Sequence, residues 1–291
     1  MTEDRNFRSH YYEKVGFRGV EEKKSLQILL KDDPLDDQKL AVFCQRFPVP
    51  VMYRQLVWKV LLGILPVHQS VHQFVWNQRT QQCNDLQRSL KVMNIINDET
   101  SEAEVIFKMF LLQEGLLPLE DENLHDIEDS IISLDVATAT CDMTEDFDDA
   151  YWLAFRIYQL REKHADLLET MPSSFISYLT KEDPVLYEHL EALKCVKRLP
   201  YQKWFQSLFS SVFPVSTVER IWDRFIGGSC KFLVFVAIAI FLTYKMQLIN
   251  TKKQQDLLKF LEKLPCDHCD VILMKASELW EKYGCTKAEL L

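Results

Sequence analysis

The sequence predicts an all-α protein built as a multi-helix fold of two helical halves, and three observations predict it. Most segments between prolines carry apolar residues at i, i+3, i+4 and i+7, the spacing of one face of a helix, and few runs alternate with the period of two that a half-buried strand needs. Only seven glycines occur in 291 residues, which favours helix over turn-rich sheet. Hydrophobic residues make up 47% of the chain and aromatic residues 12%, enough to bury a large core as one or two domains.

Helical periodicity places candidate helices at 20–31, 36–46, 51–64, 70–93, 102–114, 125–141, 147–163, 184–196, 201–212, 217–226, 231–249, 252–263 and 270–283. Prolines at 34, 48, 50, 66, 118, 172, 184, 200, 214 and 265 punctuate them. Trp204, Phe205, Leu208, Phe209 and Val212 share one face, and Pro214 stops that helix because its ring fixes φ and removes an N–H. Ser216 with Glu219 reads as a capping box opening the helix of Val218, Ile221, Trp222 and Phe225, which Gly227 and Gly228 close. Thr251 with Gln254 reads as a second capping box, and Gly284 as a helix stop. The acidic stretch Pro118 to Glu128 has charge without an apolar face and reads as the longest loop.

Composition and local motifs remove several classes of function. A formal charge of −9 leaves no basic footprint for nucleic acid. The N-terminus lacks the apolar core of a secretory signal, and no lipidation motif is present. Phe232 to Tyr244, the longest apolar run, has about 13 residues where a bilayer span needs roughly 20, so it reads as a buried core helix. Eight cysteines without a secretion signal read as free thiols. Cys266-Asp267-His268-Cys269 has metal-ligand spacing, but only Cys285 follows it, so neither a metal nor any other cofactor is expected.

Two separated motifs carry a resemblance. The stretch Trp204-Phe205…Leu208-Phe209…Pro214…Thr217-Val218…Arg220-Ile221-Trp222-Asp223 resembles the C-terminal half of TBC domains, helical domains found in activators of Rab-type small GTPases. Far upstream, Tyr53-Arg54-Gln55-Leu56-Val57-Trp58-Lys59-Val60-Leu61-Leu62-Gly63 is similar to the family's first motif. The implied organisation is N-terminal helices over 1–47, a TBC domain over 48–245 and C-terminal helices over 246–291 that complete the same unit. Arg54 and Trp58 lie one helical turn apart, and an arginine on so apolar a helix needs an anionic partner. Asp223 is the expected partner, with Arg54, Trp58, Trp204, Arg220, Trp222 and Asp223 expected to be structural.

Active TBC domains insert an arginine finger, worth about 10³–10⁵ in rate, and a glutamine that positions the attacking water. The arginine motif I-x-x-D-x-x-R is matched here by Ile95 to Ser101, with Ser101 at the arginine position. Lys91 lies a turn too early to replace it, and Lys108 lies inside the next helix. Counting back from Asp148-Asp149-Ala150-Tyr151-Trp152 places the glutamine position at Ile131 and the preceding tyrosine position at Asp129. Ser101 and Ile131 are thus degenerate finger positions, and the resemblance implies a TBC fold without its catalytic residues.

The resemblance narrows further when Arg54 to Pro66 is paired with Gly228-Ser229-Cys230-Lys231. It then resembles the branch of the family that serves as a small subunit of the tuberous sclerosis complex. That implies a non-enzymatic protein that binds hamartin's coiled coil and, through it, tuberin, which activates the GTPase Rheb and so restrains growth signalling through mTOR. It also implies a cytoplasmic location with recruitment to lysosomal or other endomembrane surfaces. Small GTPases are a further partner class, and two alternatives stay open: a Rab activator using unmatched residues, and a GTPase effector without catalysis.

The chain itself offers an edge for a partner helix. In the 70–93 segment the inward stripe is Val75, Cys83, Leu86, Leu90 and Met93, which Val71, Phe74 and Trp76 do not all fit. Val71, Phe74 and Trp76, with Val75 between them, form the candidate partner-binding edge, a helix-in-groove surface if the core leaves them uncovered.

Overall fold

A computed structural model describes residues 20–117 and 128–284, with the backbone alone at 20–22 and 128–132. Residues 1–19 of the expected N-terminal region, the loop read at Pro118 to Glu128 except its last residue, and Cys285 lie outside the described residues. Among those described, every regular element is helical.

The chain divides into two compact units, one comprising 1–162 and 223–229, the other 163–222 and 230–291. The first contains α1 (Val20–Leu29), α2 (Asp37–Arg46), α3 (Val51–Leu61), α4 (His72–Val92), α5 (Glu102–Glu114), α6 (Glu128–Met143) and nearly all of α7 (Phe147–Lys163). Its core includes Leu26, Leu40, Phe43, Val49, Val57 and Val60. All but Val49, which lies in the connection before α3, come from three short helices whose apolar residues recur at helical spacing, and burying that stripe is what stabilises helices this short. A second aromatic layer joins Phe107 and Phe110 of α5 to Phe155 and Tyr158 of α7, with Phe110 and Tyr158 centroids 4.7 Å apart.

The second unit contains α8 (Ala165–Glu182), α9 (Pro184–Ala192), α10 (Tyr201–Gln206), the start of α11 (Val215–Ile226), α12 (Phe232–Thr243), α13 (Lys245–Asn250), α14 (Gln254–Glu262) and α15 (Cys269–Tyr283). Every residue of α12 from Phe232 to Phe241 is buried, as an all-round apolar helix requires. Phe235 meets Trp280 at 6.1 Å, and Phe241 meets Phe175 at 5.1 Å. At 12 residues α12 is a core helix, and among the described residues no helix is long and apolar enough to cross a membrane.

Several element expectations are corrected. Residues 165–182, which fall between the helices expected at 147–163 and 184–196 with Pro172 as punctuation, form α8 with that proline inside it. Leu168, Met171, Phe175 and Leu179 are all buried, so one continuous apolar face outweighs the missing N–H. The helix expected over 201–212 ends at Gln206, because Leu208 and Phe209 take positive φ of 52° and 64°. Both side chains are fully buried, and the Leu208 carbonyl accepts a 3.0 Å bond from the Trp222 indole, so packing holds a backbone conformation that bulky residues rarely adopt. The helix over 231–249 is likewise divided at Tyr244 into α12 and α13.

Neither capping box is used as expected. α11 begins at Val215, one residue before Ser216, and the Pro214 carbonyl accepts from the N–H groups of Thr217 and Val218 at 2.9 and 3.1 Å. At the second, Lys253 is the capping residue without a side-chain bond. There Thr251 Oγ1 donates to Gln247 and Gln254 Nε2 donates to the carbonyls of Leu193 and Lys194.

Candidate functional site

Asp223, at the point where α11 enters the first unit, is fully buried and organises a polar cluster in that unit's core. Arg54 of α3 donates to it from Nε at 3.0 Å and from Nη2 at 3.2 Å, a two-pronged contact that matches the planar fork of guanidinium to carboxylate. Trp58 Nε1 donates to Asp223 Oδ1 at 2.9 Å, and the Val49 amide donates to Oδ2 at 3.0 Å. Arg54 Nη2 also donates to the Val49 carbonyl at 2.6 Å, which fixes the chain just before α3. The motif spacing Arg54-x-x-x-Trp58 thus puts two donors on one face, one turn apart, aimed at one carboxylate.

The neighbouring contacts hold the same strip of chain. Arg224 donates to the carbonyls of Gln45 and Arg46, and Gln45 Nε2 donates to the Gly227 carbonyl at 2.6 Å. A Cβ on Gly227 would lie 2.8 Å from the Cys44 Cβ, so this glycine is required by close approach, while Gly228 supplies the left-handed φ of 94°. Burial, then the Asp223 charge, pushes the Cys44 thiol well above its ordinary range, so it is an inert core thiol.

The other motif residues lie in the second unit. Trp204 is buried and meets Phe241 edge-on at 6.1 Å, while Trp222 is buried on the Leu208 carbonyl. Arg220 makes an exposed ion pair with Asp270 at 2.6 Å.

Ser101, expected at the arginine-finger position, is the N-cap of α5, its hydroxyl accepting from the Glu104 amide at 3.4 Å. Lys108 is drawn into the same segment, donating to the Ile95 carbonyl at 3.0 Å and pairing with Glu104 at 2.9 Å. Lys91 sits 3.8 Å from Asp98 in an exposed pair. The backbone of Ile131 lies in α6, and its side chain lies outside the described residues.

The expected partner-binding edge is divided by the structure. Phe74 is 68% exposed and Val71 41%. Val75 and Trp76 instead pack on the first unit's core. Trp76 is covered by Lys59, whose Nζ lies 3.9 Å from the ring centroid and 2.6 Å from the buried Asp149. Met93, expected on the inward stripe, is 42% exposed, because α4 ends at Val92 and the chain turns away there. Of 21 residues in α4 only Cys83 and Leu90 are buried.

Sequence reasoning missed the Lys59–Asp149 pair and the stacking of Arg79 on Trp152, 4.4 Å from Cζ to the ring centroid. The signal for the first was available, a lysine directly after Trp58 within an apolar helix. At the Cys266–Cys269 motif both cysteines are free thiols, Cys266 exposed and Cys269 buried. Among the described residues no group of side chains is arranged to hold a metal ion.

The all-helical architecture and this Arg-Trp-Asp node fit the TBC-type domain that the sequence resembles, and comparison with known proteins agrees. The Rab-GTPase-TBC domain family model matches residues 134–249. The chain is 48% identical to TBC1 domain family member 7 of Homo sapiens over 286 residues, covering 97% of each chain, and 46% identical to its Xenopus tropicalis counterpart over the same share. The chain therefore belongs to the TBC domain family. Two solved structures share the fold at low identity. The Ypt/Rab-GAP domain of Gyp1p superposes with a TM-score of 0.61 at 18% identity, covering 91% of this chain and 99% of that one. The Chlamydomonas flagellar RabGAP TBC domain gives 0.62 at 16%, covering 95% of each.

Proposed function

We propose that this protein is a non-catalytic TBC subunit of the tuberous sclerosis complex. It holds hamartin's coiled coil and stabilises the assembly in which tuberin activates the Rheb GTPase and so restrains mTOR signalling. It works in the cytoplasm and, through the complex, at lysosomal or other endomembrane surfaces. The observation that carries the reading is α4, a 21-residue helix with two buried residues and with Phe74 and Val71 exposed near its start. An apolar side chain left in water at the head of a long helix suits helix-on-helix docking. The non-catalytic part is supported at Ser101, whose hydroxyl opens α5 where an active family member would carry a cation.

The test is co-purification of the full chain with hamartin's C-terminal region. Val71→Glu with Phe74→Glu places two charges on the docking face while sparing Trp76, whose packing under Lys59 belongs to the core. The variant should keep its helical circular dichroism and lose hamartin, because buried anchors dominate the energy of such interfaces. Unchanged affinity would remove α4 as the docking surface. The second reading, a Rab-family activator working through other residues or an effector without catalysis, is favoured by the description of the matching family model and is separated by measuring hydrolysis.

A further inference from the structure

Arg79 of α4 and Arg156 of α7 are each seated on an aromatic ring, near enough for the charge of one to act on the other. The Arg79 guanidinium lies over the Trp152 ring, and the Trp152 indole donates to the Arg79 carbonyl at 3.1 Å, tying α7 to α4. Trp152 meets Phe155 edge-on at 5.6 Å, and Arg156 Cζ lies 5.8 Å from the Phe155 centroid. The side chains are thus lodged on one aromatic ledge, and neither forms an ion pair among the described residues.

Their hydrogen bonds are few for groups with five donors each. Arg79 Nη1 reaches Gln82 Oε1 at 3.4 Å, while Arg156 donates to Gln159 Oε1 at 2.8 Å and to the Gly63 carbonyl at 3.4 Å. The Nε–H of each is shut off from solvent with no protein partner. Burial, and next the Arg79 charge, lower the proton affinity of Arg156 below the ordinary arginine value. Glu114, the carboxylate whose charge acts on Arg156, accepts instead from Gln159 at 3.1 Å. Like charges destabilise each other, Glu114 forms no ion pair with either arginine, and an oxyanion bound by both removes that cost.

We propose that Arg79 and Arg156 form a binding site for a phosphate-type oxyanion, free or carried on a soluble headgroup. Guanidinium forks match tetrahedral oxyanions in two-pronged contacts, and the aromatic ledge holds both forks in place before the ligand arrives.

The test is calorimetric titration of the full chain with inorganic phosphate at constant ionic strength, against chloride. A second arm uses inositol trisphosphate in place of phosphate. Saturable one-to-one binding is expected, weakened about tenfold or more in Arg79→Gln and in Arg156→Gln, the loss of one charged hydrogen-bonding group. Tighter binding of inositol trisphosphate assigns the site to headgroups, and equal binding assigns it to free phosphate. Arg79→Lys and Arg156→Lys keep the charge and the fold but lose the fork, and should also weaken binding. A phosphate titration indistinguishable from chloride, or unaltered affinity in both lysine variants, overturns the proposal.

Discussion

Asp223 accepts four hydrogen bonds from three residues that enter the core from one stretch of chain, so the energetic question is what remains when one partner leaves. In Arg54→Ala the carboxylate stays buried with the Trp58 indole and the Val49 amide but without a countercharge. A buried ion pair broken on one side loses about 3–5 kcal/mol, more than its formation contributed, because the desolvated charge is left behind. Arg54→Ala and Asp223→Ala should each destabilise by about that amount in chemical denaturation. Arg54→Met combined with Asp223→Leu should cost clearly less than the sum, since neither charge then remains. A single variant that unfolds at the parent's denaturant concentration would remove the node from the fold's main supports. This contact was legible in the sequence for a physical reason. An arginine amid Val57, Trp58 and Val60 has nowhere to place its charge unless an acid is delivered to it, and Trp222-Asp223 is the other polar interruption of an apolar motif. Arg79 gave no such signal, because it sits among Asn77, Gln78, Thr80 and Gln81, whereas Arg156, between Phe155 and Ile157, carried the same signal as Arg54 and only the packing of α4 on α7 supplies its surroundings.

Helix positions followed periodicity closely where local pattern and tertiary packing agree, as in α5 and α7, whose observed bounds Glu102–Glu114 and Phe147–Lys163 match the reading from sequence. They departed where packing overrides local chemistry. Leu208 and Phe209 abandon the helix to bury both side chains, and Trp76 leaves the expected docking edge because Lys59, from another helix, covers its ring. α8 shows the opposite override. Pro172 lies in its interior, where its absent N–H leaves the Leu168 carbonyl one turn back without the usual helical partner, and proline in such a place costs about 3 kcal/mol against alanine. Part of that is offset because proline also restricts the unfolded chain, by about 0.4–1 kcal/mol. Pro172→Ala should therefore stabilise the protein by about 2–2.6 kcal/mol, read as a higher midpoint of denaturation with an unchanged slope. A lower midpoint would mean that the pyrrolidine ring itself packs against a neighbour and that α8 depends on it.

For the whole molecule, the decisive contrast is between a fold shared with Rab GTPase-activating domains and the proposal that Ser101 and Ile131 stand where an active member carries its fingers. Membership in the family rests on 48% identity across nearly the full chain, whereas activity depends on a cation placed against the transferring phosphoryl group. Ser101 accepts the Glu104 amide at the start of α5, and Lys108 holds the Ile95 carbonyl, so the segment that would present a finger is committed to its own helix. In single-turnover hydrolysis across a panel of Rab GTPases and Rheb, the full chain should leave the intrinsic rates unchanged. Ser101→Arg with Ile131→Gln should do no better. The new arginine gives up the cap, which costs about 1 kcal/mol, and it starts from a position shaped for a hydroxyl rather than for reaching a nucleotide. Glu102 and Glu104 in the first turn of α5 would also draw the guanidinium back onto the helix end. Acceleration of about a hundredfold or more by the parent, close to 3 kcal/mol of barrier, would show that other residues supply the charge and would move the protein to the catalytic side of its family.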